Sequence, residues 1–365
     1  MKTLRDIPNL KDKKVLLRVD FDIALRSSEG AKKGVPLIQE PFRIKKQKET
    51  IDYLISHGAK VVMVGHLHED NMSFGDLVPQ LHLLLGYEFD FIKDLDLLRS
   101  STSKLALLEN IRQFPGETEN DKGFTKNLAD GFDVYVNNAF AVSHRNHASV
   151  SAITEFLPGY AGFVVEEEIA ALNKAIDAPK DGKVIIIGGA KASTKVPVIK
   201  NFINRIDKIL VGGVVANDIL KEKGIYMGDS IVDENSAELL SGLNLNNPNL
   251  IIPEDYNVFE NKILDIGDKT IETFKKIINS AQMIIWNGPM GVFEDERFTK
   301  GTDEVAQAVT GSGAFKILGG GDTITAVDKI NLLNKFDFVS TGGGAMLEFL
   351  AGNELPGLKS LGFQV

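Results

Sequence analysis

The chain has 365 residues, which at roughly 150 residues per domain points to two domains. Hydrophobic residues make up 43% and charged residues 25%, an ordinary globular balance that excludes global disorder and collagen-like order. With 41 Lys+Arg against 50 Asp+Glu the net charge is −9, the wrong sign for sequence-independent nucleic-acid binding; with no cysteine, disulfides, zinc–thiolate sites, iron–sulfur clusters and thiol catalysis are excluded.

The N-terminal stretch MKTLRDIPNLKDKK is charged and has no apolar core of signal-peptide length. Apolar runs such as Val184–Ile187 and Met283–Trp286 fall far short of the roughly 20 residues of a membrane helix. The expectation is a soluble cytoplasmic protein with neither a membrane nor a nucleic acid as partner.

In chain order, short apolar runs predict strands at Lys14–Phe21, Val61–Gly65, Leu105–Leu108, Val134–Asn137, Val184–Gly188, Ile209–Val211, Leu250–Ile252, Met283–Trp286, Phe315–Leu318 and Phe336–Ser340. They are apolar on successive residues, as strands buried on both faces are. Helical stretches are predicted between most of them, at Phe42–His57, Phe124–Asp130, Pro197–Ile206, Asn217–Glu222, Thr270–Ser280, Thr302–Val309 and Thr323–Asn331. Alternating strands and helices give an α/β fold with parallel sheets. The Ala- and Glu-rich run Glu166–Lys180, which contains no glycine, is the expected connector between two such domains.

The second half is punctuated by glycine where strands end. Val184-Ile-Ile-Ile-Gly-Gly-Ala-Lys191 runs into Ala-Ser-Thr-Lys195, and Ile209-Leu-Val-Gly-Gly213 runs toward Asn217. Ile284-Ile-Trp-Asn-Gly-Pro289, Ile317-Leu-Gly-Gly-Gly-Asp-Thr323 and Ser340-Thr-Gly-Gly-Gly-Ala345 repeat the pattern. In an open parallel sheet such loops lie at the carboxyl edge, where ligands bind. Glycine lets backbone N–H groups approach an anion, and a helix N-terminus adds a favourable dipole. Together they point to a polyanionic ligand, most simply a nucleotide. No P-loop, dinucleotide fingerprint or protein-kinase motif is present.

The first half carries cations at its strand ends instead: Arg18, Arg43, His66, Arg112, His144 and Arg145, with Asp20 after the first strand. Together they form an expected cationic pocket for a small anion such as a phosphorylated acid. A nucleotide-type site on one lobe and an anion site on the other, joined by a hinge, is the layout of phosphoryl transfer between two substrates.

Longer motifs sharpen this reading. Leu16-Leu-Arg-Val-Asp-Phe-Asp22 is similar to R-V-D-F-N, Leu108-Glu-Asn-Ile-Arg112 to L-E-N-x-R, and Gly188-Gly-Ala-Lys-Ala-Ser-Thr-Lys195 to G-G-x-K-x-x-x-K. With Trp286-Asn-Gly-Pro-Met-Gly-Val-Phe-Glu294, Gly319-Gly-Gly-Asp-Thr323 and Ser340-Thr-Gly-Gly-Gly-Ala345, the chain resembles the phosphoglycerate kinases along essentially its whole length. The resemblance implies a monomeric, hinge-bending enzyme that moves phosphate reversibly between 1,3-bisphosphoglycerate and Mg-ADP, giving 3-phosphoglycerate and Mg-ATP in glycolysis.

The implied fold is two doubly wound, Rossmann-like domains joined by a hinge helix. An acid-binding domain spans 1–165, the connecting helix 166–182 and a nucleotide-binding domain 183–345, with 346–365 packing back on the first domain. The resemblance also assigns residues. Arg43, Lys191 and Lys195 would be catalytic, the two lysines on the nucleotide phosphates and the phosphate in flight. Gly212, Gly213 and Gly267 would line the adenine pocket, Glu294 would hold the ribose and Asp322 the Mg2+. Asn287 would bind nucleotide, and Gly320, Gly321 and Thr323 would hold phosphate oxygens. Asp20, Asp22, Arg43, His66, His68, Arg112 and Arg145 would surround the glycerate. Lysines at the start of a helix sit badly with its dipole unless an anion is there, which favours function for Lys191 and Lys195.

Departures from the family pattern concentrate in the acid half. Where the family reads H-L-G-R, this chain has His66-Leu-His68-Glu69, so a glutamate replaces the arginine expected on the substrate's 3-phosphate. Asp22 replaces an asparagine, Ala24 a proline, Asn138 an aspartate and Ala141 a glycine. One lost charge-assisted hydrogen bond costs about 1.5–3 kcal/mol, roughly ten- to hundredfold in affinity. His68 turning inward, or the Arg26–Pro41 segment with Lys32 and Lys33 folding over the site, would offset the loss. Two other readings stand beside the kinase: a nucleotide-binding paralogue acting on a different carboxylic acid, and a non-catalytic scaffold.

Overall fold

The computed structural model describes residues 1–23, 25–26, 36–38 and 41–364. Lys32, Lys33 and Ala24 lie outside the described residues. The chain divides into two units, Met1–Ile169 with Glu354–Val365, and Ala170–Asn353.

In the first unit the apolar run after Lys13 forms β1 (Lys14–Arg18), buried from Val15 onward. Two residues each of β2 (Leu25–Arg26) and β3 (Leu37–Ile38) pair as a short antiparallel ribbon. β4 (Lys60–Val64), β5 (Asp90–Ile92), β6 (Leu105–Leu108), β7 (Val134–Asn137) and β8 (Gly159–Ala161) complete a six-stranded parallel sheet in the order β5-β6-β4-β1-β7-β8. The chain winds outward from β1 on one side and returns with β7 on the other. That reversal sets the loops after β1 and β7 side by side, the place where open α/β sheets bind ligands. Asn138 N–H donates to Arg18 O at 2.9 Å and fixes the level at which both loops leave the sheet.

The helix Phe42–Ser56 covers this sheet with Ile44, Ile51 and Leu54 and carries Arg43 in its first turn. β5 and β8, three residues each, have no predicted counterpart, being too short to show a periodicity. The connecting helix runs from Phe163 to Asp177, three residues earlier at both ends than the predicted Glu166–Lys180. Its start is fixed by tertiary caps rather than by local sequence. Thr50 Oγ1 accepts from Phe163 N–H at 3.2 Å, and Asn138 Oδ1 accepts from Val164 N–H at 3.0 Å.

The second unit repeats the plan with β9 (Lys183–Ile187), β10 (Lys208–Val211) and β11 (Leu250–Ile251). An antiparallel ribbon follows, β12 (Tyr256–Phe259) and β13 (Lys262–Ile266), turned by Glu260 and Asn261 at φ 47° and 62°, the left-handed pair of a tight hairpin. β14 (Met283–Asn287), β15 (Phe315–Gly319) and β16 (Phe338–Val339) complete a parallel sheet in the order β11-β10-β9-β14-β15-β16. Its reversal lies between β9 and β14. The helix after β9 spans Ala192–Phe202 with Pro197 inside it, so it begins earlier than the predicted Pro197 and takes Lys195 into its opening turns.

The segment that returns to the first unit begins at Glu354, not at residue 346. The helix Gly343–Leu350 belongs to the second unit, where Ala345, Met346 and Leu350 are buried and Asn201 Nδ2–H donates to Leu350 O at 2.6 Å. In the returning segment Gly357 N–H donates to Ser143 O at 2.8 Å, and Leu358 and Leu361 are buried.

Trp286, the one tryptophan, is fully buried, its Nε1–H donating to Gly288 O at 2.8 Å. Gly288 has φ 98°, and a Cβ there would stand 2.0 Å from Gly188 O. Both facts forbid a side chain where the two central loops meet. Gly288→Ala should therefore destabilise the second unit by about 2 kcal/mol or more, read as a lowered denaturant midpoint in Trp286 fluorescence.

Candidate active site

The second unit holds a cavity of about 540 Å³ at the carboxyl end of its sheet, within the range of small-molecule sites. Val214, Leu220, Ile231, Ile263, Met290 and Phe293 give it an apolar wall, as a purine ring needs. Gly213, Glu294 and Asp322, each singled out in the sequence, lie in its lining. Gly212 sits behind, with a Cβ position 2.8 Å from Met290 Sδ, so only glycine lets that loop close down. Gly267, expected in the adenine pocket, is not among the lining residues. It precedes the helix Asp268–Ser280, and a Cβ there would stand 2.3 Å from the Asp255 carboxyl carbon. Its glycine is a packing requirement; the wall is made by Ile263–Ile266 of β13 instead.

Beside the cavity the phosphate-type loops converge. Lys191 precedes the helix Ala192–Phe202 and is exposed; Lys195 is buried, its Nζ 2.9 Å from the Cβ position of Gly189. Burial pushes the Lys195 ammonium down to about 8, with Asp322 opposing and Lys191 reinforcing the shift. Gly320 has φ 94° ahead of the helix Gly321–Lys329, which presents Gly321 and Asp322 exposed in its first turn. Asn287 is buried, its Nδ2 has no hydrogen-bond partner, and that atom lies 3.1 Å from the Cβ position of Gly320. A buried amide donor without a partner beside a glycine turn is prepared for an anion. Thr323 is fully buried and its Oγ1 accepts from Gly288 N–H at 2.7 Å, which ties the two glycine loops together beneath the exposed groups.

The first unit gathers the predicted acid-binding residues at the loops after β1, β4, β6 and β7 and in the first turn of the helix Phe42–Ser56. Asp20 is fully buried with Oδ2 lacking a hydrogen-bond partner; burial pushes its carboxyl up, and Arg43, whose Nε is 3.7 Å away, pulls it back. Arg43 Nη1 also donates to Asp22 O at 2.8 Å. His66 is fully buried with Nε2 lacking a hydrogen-bond partner; burial first, then Arg18, Arg112, His147 and Arg43, hold its imidazole well below the ordinary value. Arg112 leaves Nη2 without a hydrogen-bond partner and sets Nη1 3.3 Å from Asp70 Oδ1. Arg145 follows half-buried on the loop after β7. Arg18, grouped by sequence with the pocket cations, is fully buried beneath them.

The Asp22 carboxylate stands among His66 Nε2 at 3.6 Å, His68 Nδ1 at 3.6 Å and Arg43 Nη1 at 3.8 Å. His68 itself remains 83% exposed. Asn138 faces away from this cluster: Oδ1 accepts from Thr50 Oγ1–H at 2.9 Å and Nδ2–H donates to Gln47 Oε1 at 2.8 Å.

The family model described as phosphoglycerate kinase matches residues 4–353. The chain belongs to the phosphoglycerate kinase family. It is 36% identical over 395 residues to the phosphoglycerate kinase of Moorella thermoacetica, covering 98% of both chains, and 38% identical over 400 residues to that of Thermosipho africanus, covering 98% of this chain and 97% of the relative. Among solved structures it is similar to the phosphoglycerate kinase of Pyrococcus horikoshii, with a TM-score of 0.85 at 31% identity, over 99% of this chain and 98% of that one. The phosphoglycerate kinase of Coxiella burnetii superposes with a TM-score of 0.82 at 32% identity, over the same shares.

For a member of this family, the ribbon β12–β13 is the part of the site that sequence analysis misses, because it was assigned no element. Its one signal is an aspartate in an apolar run, Ile263-Leu-Asp-Ile266. Asp265 lines the cavity while its oxygens accept from Gly301 N–H at 2.7 Å and Ile266 N–H at 2.9 Å. Burial nevertheless pushes its carboxyl up to about 7. The folded state then holds a proton that an unfolded carboxyl releases near 3.9, so stability should fall as pH rises from about 4 to 7 and stay lowered above. The loss is at most about 4 kcal/mol at 1.36 kcal/mol per unit. In Asp265→Asn the difference in Trp286-monitored stability between about pH 5 and 8 should shrink. The amide gives up one backbone hydrogen bond at every pH, so the slope is the informative quantity.

Proposed function

We propose that the chain transfers a phosphoryl group reversibly between 1,3-bisphosphoglycerate and Mg-ADP, giving 3-phosphoglycerate and Mg-ATP, as a cytoplasmic monomer. The acid binds the first unit and the nucleotide the second. The observation that carries this reading is the set of buried polar atoms without hydrogen-bond partners. At the loops after β1, β4 and β6 these are an acceptor, Asp20 Oδ2, a donor, Arg112 Nη2, and the His66 ring nitrogen Nε2. A hydroxy acid supplies the complement, a hydroxyl for the acceptor and anionic oxygens for Arg112 and for His66 where Nε2 carries its hydrogen. In the second unit Asn287 Nδ2 and the Lys195 ammonium offer the same to phosphate oxygens.

In this reading the nucleoside occupies the apolar cavity, with Glu294 at the ribose. Asn287, Gly320 and Gly321 receive the phosphates at a helix N-terminus, and Thr323 holds that turn against the Gly288 loop. Asp322 fits a Mg2+ ion that arrives on the nucleotide, since Mg2+ is commonly held by one or two carboxylates together with substrate phosphates. Among the described residues no cluster of three or more His, Asp and Glu forms a cage that would compete. Held there, the ion would supply charge neutralisation on the phosphates. Arg43, Lys191 and Lys195 stabilise the equatorial oxygens in flight, the electrostatic work that phosphoryl transfer asks of a protein. Closure of the two units about the helix Phe163–Asp177 brings the substrates together and excludes water.

The acid half is weakened by its own carboxylates. Arg112 is held by Asp70 and Arg43 by Asp20 and Asp22, so an incoming anion competes with internal partners. Glu69 leaves the 3-phosphate without its arginine, and His68, 83% exposed, does not replace it. The Glu69 backbone is pinned by Asn110 Nδ2, which donates to Glu69 O at 3.2 Å. Glu69→Arg should therefore lower KM for 3-phosphoglycerate about tenfold or more with KM for Mg-ATP unchanged, measured in a coupled assay. No turnover by the unsubstituted protein, with Mg-ATP still bound, would leave only a different acid or a scaffold.

Lys195 supplies a pH test. Protonated below about 8, it should bind phosphates best there, so Mg-ADP affinity should decline from pH 7 to pH 9. Lys195→Met should remove that slope and lower kcat by about 10²–10³, measured by calorimetric titration and steady-state kinetics.

A further inference from the structure

Four fully or nearly fully buried polar side chains form an unbroken line beneath the acid half-site: Glu117, Ser149, Arg18 and His66. Ser149 N–H donates to Glu117 Oε2 at 2.9 Å, and Ser149 Oγ–H to Glu117 Oε1 at 2.7 Å. Arg18 Nε–H donates to Ser149 Oγ at 3.0 Å. Arg18 Nη1 donates to Val19 O at 2.6 Å and Val64 O at 3.3 Å, and Nη2 reaches His66 Nδ1 at 3.2 Å. Tyr135 O–H donates to Ser149 O at 2.8 Å and fixes the serine from the far side. Each guanidinium nitrogen is thus engaged, and the group has no freedom to turn toward a substrate.

A guanidinium only donates. The Arg18–His66 contact therefore requires His66 Nδ1 to be the acceptor, which places the imidazole hydrogen on Nε2. That is the nitrogen without a hydrogen-bond partner at the acid site. We propose that Arg18, oriented by Glu117 through Ser149, is a positioning residue that locks His66 as a neutral Nε2–H donor to the acid substrate, so that His66 acts by direction and not by charge.

This inference rests on the assignment of the first unit as the acid half-site. A second proton on Nδ1 would point at a guanidinium N–H. The cationic and titratable groups around the ring act in the same sense, with Asp22 opposing them. Arg43 from the helix Phe42–Ser56, Arg112 from the turn after β6 and His147 from the loop after β7 all oppose an imidazolium, while Asp22, 3.6 Å from Nε2, favours one. An imidazole free of such constraints changes charge between about pH 5 and 8; this one is arranged to give the same hydrogen bond throughout.

The test is nitrogen-15 NMR of the full chain labelled at histidine, with His66 assigned by its loss in His66→Gln. The expected result is hydrogen on Nε2, none on Nδ1, and no titration of His66 between about pH 5 and 8. Hydrogen on Nδ1, or titration in that range, overturns the proposal without any variant. Arg18→Met should release the ring, so that His66 titrates in the range and KM for 3-phosphoglycerate rises about tenfold, the equivalent of one positioned hydrogen bond, with KM for Mg-ATP unchanged. Ser149→Ala, a milder change, should mix the two tautomers; a tautomer unchanged in both variants overturns the role of Arg18. Addition of 3-phosphoglycerate should shift the His66 Nε2 signal. A locked tautomer that ignores the acid would overturn the acid assignment and leave the positioning network standing.

Discussion

A parallel sheet covered on both faces leaves its carboxyl edge as the place for polar chemistry, and both units of this chain place their charged machinery there. β1 and β9 are buried almost throughout, so the strand bodies face no solvent and Arg18, at the last position of β1, serves as a buried brace. The strand ends, the loops that follow and the first turns of the next helices carry the polar groups, and the reversal of strand order decides which of them meet. In the second unit that meeting is close enough to forbid side chains: Gly188 and Gly288 face each other with no room for a Cβ on either. Removing side chains turns backbone toward the ligand, and the few side chains left at the edge, Asn287 and Lys195, are consequently buried. A desolvated ammonium and an amide donor without a partner carry a cost that folding alone does not repay, and an anionic ligand offsets it.

The first unit solves the same problem with side chains in place of glycines. Its edge holds Asp20, His66 and Arg112 under cover, each with a polar atom that lacks a hydrogen-bond partner, above a second tier in which Arg18, Ser149 and Glu117 are satisfied. The two tiers divide labour. The lower one is fully paired, so it is rigid; the upper one keeps its atoms available because the lower one holds them in place. A single layer of charged residues at this edge would collapse into internal ion pairs, as Arg112 with Asp70 and Arg43 with Asp22 have begun to do.

Much of this was legible in the sequence because it depends on local signals. Apolar runs marked the central strands of both sheets, and glycines at strand ends marked the phosphate-type loops. What was not legible depends on tertiary contact. β5 and β8 are edge strands of three residues whose pairing comes from their neighbours. The connecting helix starts at Phe163 because Thr50 and Asn138 cap it from elsewhere in the chain. Gly267 reads like any other strand-end glycine, and its requirement by Asp255 is visible only in three dimensions. Arg18 and Arg43 are equivalent by sequence position near strand ends, yet one is a buried brace and the other lies at the surface of the site.

Two of the departures from the family pattern compensate each other. Asp22 stands where an asparagine is expected and Asn138 where an aspartate is expected, so the count of carboxylates around the β1–β7 reversal is unchanged. Their surroundings are not alike. Asn138 is fully buried, and its neighbours ask it for one acceptor and one donor: Val164 N–H and Thr50 O–H at Oδ1, Gln47 Oε1 at Nδ2. An amide meets both demands without a buried charge, whereas a carboxylate would set an acceptor against the Gln47 oxygen unless that amide turned over. Asp22 is partly exposed and lies within 4 Å of Arg43, so its charge is solvated and paired rather than buried alone. The exchange moves negative charge from a buried brace to the loop after β1, beside Arg43. Its consequence falls on the anion proposed for this half-site, which would compete with Asp22 for Arg43, and not on the fold.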